Sequence, residues 1–410
     1  MSACMDHTNL LVRATSLCFM SKDSQRTAFP LATALCVVLA GLAVSEPVRA
    51  DSFEGPLDAS AQQAYEPTFS AEVSDLTGQE RADFTDSMGD GLTFAEADCR
   101  LTDTTPGVIN NLLGEACPRW VAQVDALMLW QGNISSRPLF LQYDSATAIT
   151  GATALNVNQA QTIMAAGPRF GLFLNLDECY TIEGNYFQVR PFSGQASLPT
   201  GSYAENNLAG LYDTGLTSAQ VFTSGNIQSA ELNWRRKTCG GLITWLSGFR
   251  WVEWNQQLNI NEVFPAQPVS ELTVNTGNDL YGGQVGMDVA LWDAGGRLRI
   301  NGIGKSGVFY NTAYQRTIFQ QSDIGAISAG AVADQTAFFG ELGVNANVSL
   351  TKWLSWRAGY TLFWLSGVTV PADQLAVTNI SLSPPVGSAL INTNGSVMLH
   401  GVTTGLEARW

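Results

Sequence analysis

From Trp120 onward, apolar and polar side chains alternate over segments of roughly 10–14 residues, the period of a strand whose two faces meet different surroundings. Between Phe338 and Leu350, one face carries Phe338, Leu342, Val344, Ala346, Val348 and Leu350, and the other Glu341, Asn345, Asn347 and Ser349. The next segment repeats this, with Leu354, Trp356, Ala358, Tyr360, Leu362 and Trp364 set against Ser355, Arg357 and Thr361. Ten strands are predicted near 119–130, 167–175, 180–190, 226–236, 243–254, 279–292, 297–310, 336–350, 354–365 and 397–410. Strands of soluble sandwiches run to about 5–6 residues, whereas about 9–11 are needed to cross the apolar layer of a membrane. Long connections (131–166, 191–225, 255–278, 311–335, 366–396) alternate with short ones (176–179, 237–242, 293–296, 351–353). Outer-membrane barrels join their strands in this way, with short periplasmic turns and long external loops. The expected fold is therefore all-β, a transmembrane antiparallel up-and-down β-barrel of about ten strands, with twelve as the alternative count.

Aromatic residues support this reading. Trp120 and Trp130 bracket the first strand, and Trp234, Trp245, Trp251, Tyr281, Tyr310, Trp356 and Trp364 fall within strands, as in the interfacial girdles of membrane barrels. The chain closes on Trp410 behind an alternating strand, resembling a C-terminal signal for the barrel assembly machinery.

Composition adds the cellular setting. The chain is 45% hydrophobic but only 14% charged, and its mean hydropathy is near zero, as alternating faces require. The single long apolar run, Phe29 to Val44, follows Lys22 and Arg26 and precedes SEPVRA at 45–50. This is the layout of a signal peptide, with Met20 the expected start and residues 1–50 the signal region. Residues 51–118 read as an acidic periplasmic tail and 119–410 as the barrel. The full chain holds 21 basic and 36 acidic residues, of which residues 1–50 carry four and three, so removing them leaves a net charge of −16. Such a surface repels nucleic acid and favours divalent cations at its acidic loops. The expected partners are outer-membrane lipid and such cations, and the expected location is the cell outer membrane. Four cysteines, Cys99, Cys117, Cys179 and Cys239, remain beyond residue 50. In an exported chain an even number suggests disulfides. Cys179 and Cys239 fall in two short turns expected to meet at the periplasmic rim, which suggests Cys179–Cys239 with Cys99–Cys117; four free thiols are the alternative.

Several segments resemble the planctomycete outer-membrane family called beta-barrel protein 7: WVAQVDALMLW at 120–130, AELNWR at 230–235, LSGFRWVE at 246–253, YGGQVG at 281–286, KSGVFYN at 305–311, AGYTLFWLSGV at 358–368 and LHGVTTGLEARW at 399–410. The resemblance covers about residues 119–410. It implies location and fold, and supplies no catalytic residue or ligand.

Motifs with chemical potential are few. GIGKSG at 302–307 fits GxGxxG, but a phosphate loop needs a strand followed by a helix, and this stretch lies inside an alternating strand. Asp86, Asp90 and Gly91 fit parts of a calcium loop, yet Met88 and the position of Glu96 break it. His400 is the one histidine beyond the signal region, and its parity with Trp410 places it on the outward face, at the rim. No enzymatic activity, cofactor or metal site is expected.

The inward faces are expected to hold Asp125, Glu231, Asp288 and Glu341 together with Arg235, Arg297, Arg299, Lys305 and Arg357. Barrels of about eight strands are filled by side chains, whereas open channels need around 16–18. The expected function is thus a structural or surface-interaction barrel with a filled lumen. A small-solute channel and a secreted β-rich adhesin are the alternatives. The segment 243–254 is ambiguous, because the parity that turns Trp245, Phe249 and Trp251 outward also turns Glu253 outward.

Overall fold

Alternation of period two runs without interruption through most of the chain, and the structure is correspondingly almost all strand. The computed structural model describes residues 118–410 except 133–135, 145, 148, 161, 239–240, 266–268 and 296. The signal region, nearly all of the tail, the 86–96 segment, Cys99, Cys117 and Cys239 lie outside the described residues. Sixteen strands follow in chain order: β1 Trp120–Gly132, β2 Pro138–Asp144, β3 Ile149–Asn156, β4 Ala165–Asn175, β5 Tyr180–Leu198, β6 Tyr203–Glu205, β7 Thr214–Leu216, β8 Ser218–Lys237, β9 Ile243–Val263, β10 Ser270–Asp293, β11 Leu298–Gln321, β12 Gly325–Ser349, β13 Leu354–Val368, β14 Thr378–Leu382, β15 Pro385–Ala389 and β16 Gly395–Arg409.

Ten of these close into one antiparallel barrel in the order β1-β4-β5-β8-β9-β10-β11-β12-β13-β16. They are the ten strands the alternation predicts. Closure pairs Val121 with Arg409 through Gly132 with Met398, and Trp120 and Trp410 exchange backbone hydrogen bonds of 2.9 and 3.0 Å. A ring of this kind leaves no unpaired strand edge, which is what hydrocarbon demands of a β structure. Short turns and both ends of the barrel sequence share one end, the turn end. There the backbone N–H of Lys237 donates to the carbonyl of Cys179 at 2.8 Å, so the β4–β5 and β8–β9 turns do touch. Among the described residues Cys179 forms no disulfide, and the expected Cys179–Cys239 pairing falls partly outside them.

The opposite end departs from expectation. The segments read as long loops at 255–278 and 311–335 are mostly strand, and β9 to β12 run for 21, 24, 24 and 25 residues. At ~3.3 Å per residue a 24-residue strand is about 80 Å long, far more than an apolar band of about 25 Å requires even when tilted. The neighbouring β13, β16, β1 and β4 hold only 15, 15, 13 and 11 residues. The wall is tall on one side and low on the other.

Side-chain faces explain the difference. Toward the turn end of β9, Trp245 and Phe249 are exposed while Arg250 is buried. Further along the same strand Trp254, Leu258 and Ile260 are buried, and the outward positions become Glu253, Asn255, Gln257, Asn259 and Asn261. β10 does the same, passing from exposed Met287, Val285 and Tyr281 to inward Leu280, Val274 and Leu272. The strand thus exchanges its apolar face at a definite height. That boundary is a cross-strand row, Trp251 opposite Tyr281 and Tyr281 opposite Tyr310, with Glu253 opposite Asp279 in the next row beyond. Below it the barrel meets lipid; above it, water. Glu253 does face outward, and the ambiguity at 243–254 resolves because it stands past the aromatic row.

Above the low wall, the missing height is filled by a four-stranded sheet, β3-β2-β6-β7, and by the β14–β15 hairpin. Leu139, Phe140 and Leu155 from the sheet and Ile380 from the hairpin pack with Val221, Leu258, Ile260, Val274, Phe319 and Ile327 of the tall wall. β13 ends in a bulge where Gly367 adopts φ +78°, a conformation glycine takes without steric cost. From there the chain turns inward. Asn278 accepts from Thr369 N at 2.7 Å and donates to Thr369 O at 2.9 Å, so wall amides fasten the 369–394 connection across the upper lumen.

The two faces of β12 give a direct test. Val344 is 50% exposed on the lipid side, whereas Asn345 points inward. Replacing Val344 by Arg is expected to destabilise the barrel by about 2–4 kcal/mol, and Asn345 to Arg much less. Unfolding titrations in lipid vesicles measure both, and equal losses would refute the face assignment.

Candidate functional site

Inward positions toward the turn end are polar on nearly every strand, and they converge on one charged layer. Lys305 on β11 lies 2.6 Å from Glu231 on β8 and 3.1 Å from Glu183 on β5. Arg250 on β9 lies 2.7 Å from Glu341 on β12 and 3.6 Å from Glu231. Glu341 also holds Arg169 of β4 at 3.0 Å. Arg235 bridges Glu183 and Asp288, the latter at 2.8 Å. Arg357 reaches Asp125 at 3.4 Å and Glu407 at 4.0 Å, and Glu407 also pairs with Arg409. Gln284 donates to Glu231 at 2.6 Å and to Asn233 at 2.7 Å, occupying lone pairs that the cations leave free.

Each buried charge has a high desolvation cost, offset only where opposite charges and hydrogen bonds surround it. Here six carboxylates meet six cations. The layer is neutral overall, so it presents no net field to attract one sign of ion.

Seven of the nine expected lumen charges join this layer: Asp125, Glu231, Arg235, Asp288, Lys305, Glu341 and Arg357. Two do not. Arg297 lies exposed in the turn between β10 and β11. Arg299 keeps inward parity but sits at the turn-end rim, 46% exposed and 3.2 Å from Asp293. Both are too close to the strand end to reach the interior. Five members lie outside the expected set: Arg169, Glu183, Arg250, Glu407 and Arg409. Arg250 is hidden by the ambiguous parity of 243–254; the others occupy inward positions of β4, β5 and β16, where parity counted within each strand identifies them.

Directly beyond the charges lies an aromatic layer. The Arg250 guanidinium stands 4.1 Å from the centre of the Phe339 ring and 5.9 Å from Phe187 and Phe363. Phe187 stacks on Phe363 at 5.2 Å, and Phe339 meets Phe363 at 5.8 Å and Phe309 at 6.2 Å. Leu127, Leu129, Val252, Trp254 and Leu399 complete this packed cluster. Arg250 therefore joins the layers, giving hydrogen bonds to one and its flat face to the other, a contact that strengthens away from water.

Other sequence-marked residues are structural in setting. Gly302 to Gly307 stay within β11, which continues to Gln321 with no helix, so the phosphate-loop geometry is absent. His400 faces outward, 2.8 Å from the Tyr360 hydroxyl through Nδ1 and stacked against Trp130 at 6.2 Å. Among the described residues no group of three or more His, Cys, Asp or Glu is placed to hold a metal ion.

Removing one member of the charge layer strands its partners, whereas removing both relieves the imbalance. Arg250→Met and Glu341→Leu are each expected to cost about 3–5 kcal/mol, and the double variant less than their sum. Urea unfolding in vesicles measures the cycle; strict additivity would show that the two side chains do not interact.

No family model matches the chain, and no curated protein does. Solved structures similar to it are the outer membrane protease OmpT from Escherichia coli (8% identity, 71% of this chain and 96% of that one, TM-score 0.43) and the translocator domain of the autotransporter NalP from Neisseria meningitidis (9%, 72% and 90%, TM-score 0.35). A FadL homologue from Pseudomonas aeruginosa matches at 10% identity over 71% of this chain and 90% of that one, with a TM-score of 0.24. These likenesses carry no residue role, ligand or activity to this chain.

Proposed function

We propose that the protein is a closed outer-membrane barrel that works as a structural or surface-interaction element, with its tall end outside the cell. The observation that carries this reading is the filled lumen, in which a neutral charge layer, an aromatic layer and an inward-folded connection succeed one another. A pore needs a continuous wet path with exposed polar walls. In this barrel Lys305, Arg250, Glu183, Glu231 and Glu341 are all at most 8% exposed. The orientation follows from the short turns, which membrane barrels keep in the periplasm. The tall end, rimmed outward by Asn, Gln, Asp and Glu, is then a hydrophilic platform lifted clear of the lipid.

In planar bilayers the purified protein is expected to give no defined conductance steps at neutral pH. Stable steps of uniform size would overturn the closed-lumen reading in favour of a small-solute channel. Recovery from cell envelopes with urea alone, without detergent, would favour a secreted adhesin instead.

Assembly makes a separate expectation. Trp410 completes the β1–β16 seam through its paired bonds with Trp120 and ends an outward alternating face, which suits recognition by barrel assembly machinery. Deleting Trp410 is expected to lower the level of assembled barrel while leaving export unchanged. Immunoblots of unheated and heated envelope samples measure this, and wild-type levels of folded barrel would refute it.

A further inference from the structure

Two carboxyl groups are buried together far above the aromatic row, where the small sheet meets the tall wall. Glu205 ends β6 and is 4% exposed; Glu262, near the far end of β9, is 1% exposed. Their side chains lie within hydrogen-bonding reach of each other. Each is also held by its own element. Glu205 accepts from Asp213 N at 3.0 Å, and Glu262 accepts from Ser270 Oγ at 3.0 Å. The other oxygen of Glu262, Oε1, has no further partner. No cation faces the pair among the described residues. From the β6–β7 connection it meets the Asp213 carboxylate, from β10 the Ser270 hydroxyl, and from β8 Ala219, which stands opposite Glu262 in register.

Two carboxylates are acceptors only, so they can bond to each other only when one keeps its proton. We propose that Glu205 and Glu262 form a proton-sharing latch that fastens the small β3-β2-β6-β7 sheet to the tall wall and releases it when the pair loses its proton. The location supports this. Thr217, just after β7, donates through both N and Oγ1 to Val263 O, at 2.9 and 2.7 Å, so at this edge of the apolar contact backbone bonds and the carboxyl pair act side by side.

The direction with pH follows. Burial, helped by the Asp213 carboxylate, raises Glu262 to about 7, and burial with the Glu262 and Asp213 charges raises Glu205 to about 10, from an ordinary 4.5. A raised folded-state value means that the stabilisation is complete below the ordinary carboxyl range and is lost as pH rises through the raised values. The latch is thus closed in acid, weakens through neutrality and is open in strong alkali. The two values belong to the pair rather than to separate sites.

Hydrogen exchange of the full chain in detergent micelles, corrected for the intrinsic rate, tests the proposal at about pH 6 and about pH 9.5. Protection in β6, β2 and the far end of β9 is expected to fall by about tenfold or more over this range, one decade per unit of proton linkage. The lower parts of β9 to β12 should stay unchanged. Glu262→Gln, which supplies an amide donor to the Glu205 carboxylate, should markedly shrink the dependence; Glu205→Gln should do the same and serves if the first variant fails to fold. Glu271→Gln on the outward face should retain it. A flat wild-type profile, or an undiminished fall in both Gln variants, would overturn the latch. So would restoration of alkaline protection by millimolar calcium, because the pair would then be a cation site.

Discussion

Each tall strand passes through two solvents, and the exchange of its faces at the boundary is the constraint on which the rest of this structure depends. In hydrocarbon the outward side must be apolar, and whatever polar groups the strand carries must turn inward and satisfy one another. In water the same strand behaves as part of a soluble sheet and turns its apolar side in. On β9 the change occurs between Phe249 and Glu253 without any break in hydrogen bonding. The charged layer and the upper apolar core are two results of that one reversal.

Asymmetry of the wall follows from it as well. A tall sheet with an apolar concave face cannot be left open to water, because the exposed patch would be large and aggregation-prone. The low wall offers no cover. The small sheet and the 369–394 connection supply it, and they do so with neutral contacts over most of their area, through residues such as Leu139, Phe140, Leu375 and Ile380. Amides of Asn278 and Gln335 then fix the connection to the wall, and Asn311 holds the Gly367 carbonyl at its root.

Much of the architecture was legible from alternation alone. The turn-end boundaries agree to within a few residues, because there the lipid-facing pattern and the turn chemistry stop together. The upper boundaries were misread, since an outward apolar pattern ends at the aromatic row although the strand does not. Inside and outside exchange while the period stays at two, so only the parity of residues such as Trp254 and Leu258 against Glu253 and Asn255 reveals the continuation. Seven lumen charges were assigned by the same parity, and Arg297 and Arg299 failed because parity says nothing about height. Small strands such as β6 and β7, three residues each, carry no periodic signal; only tertiary contact creates them.

The seam between β1 and β16 also sets a kinetic order. Gln123 and Glu407 are joined by a side-chain hydrogen bond across 284 positions of sequence, and none of the ring's inward charges is fully sheltered until that seam has formed. Contacts so distant in the chain are slow to find because a large loop must be ordered first. Translation releases β1 long before its partner exists. One edge of β1 can pair early with β4, but its other edge must wait for β16, so the exposure of that single edge bears on yield as much as the stability of the finished ring does.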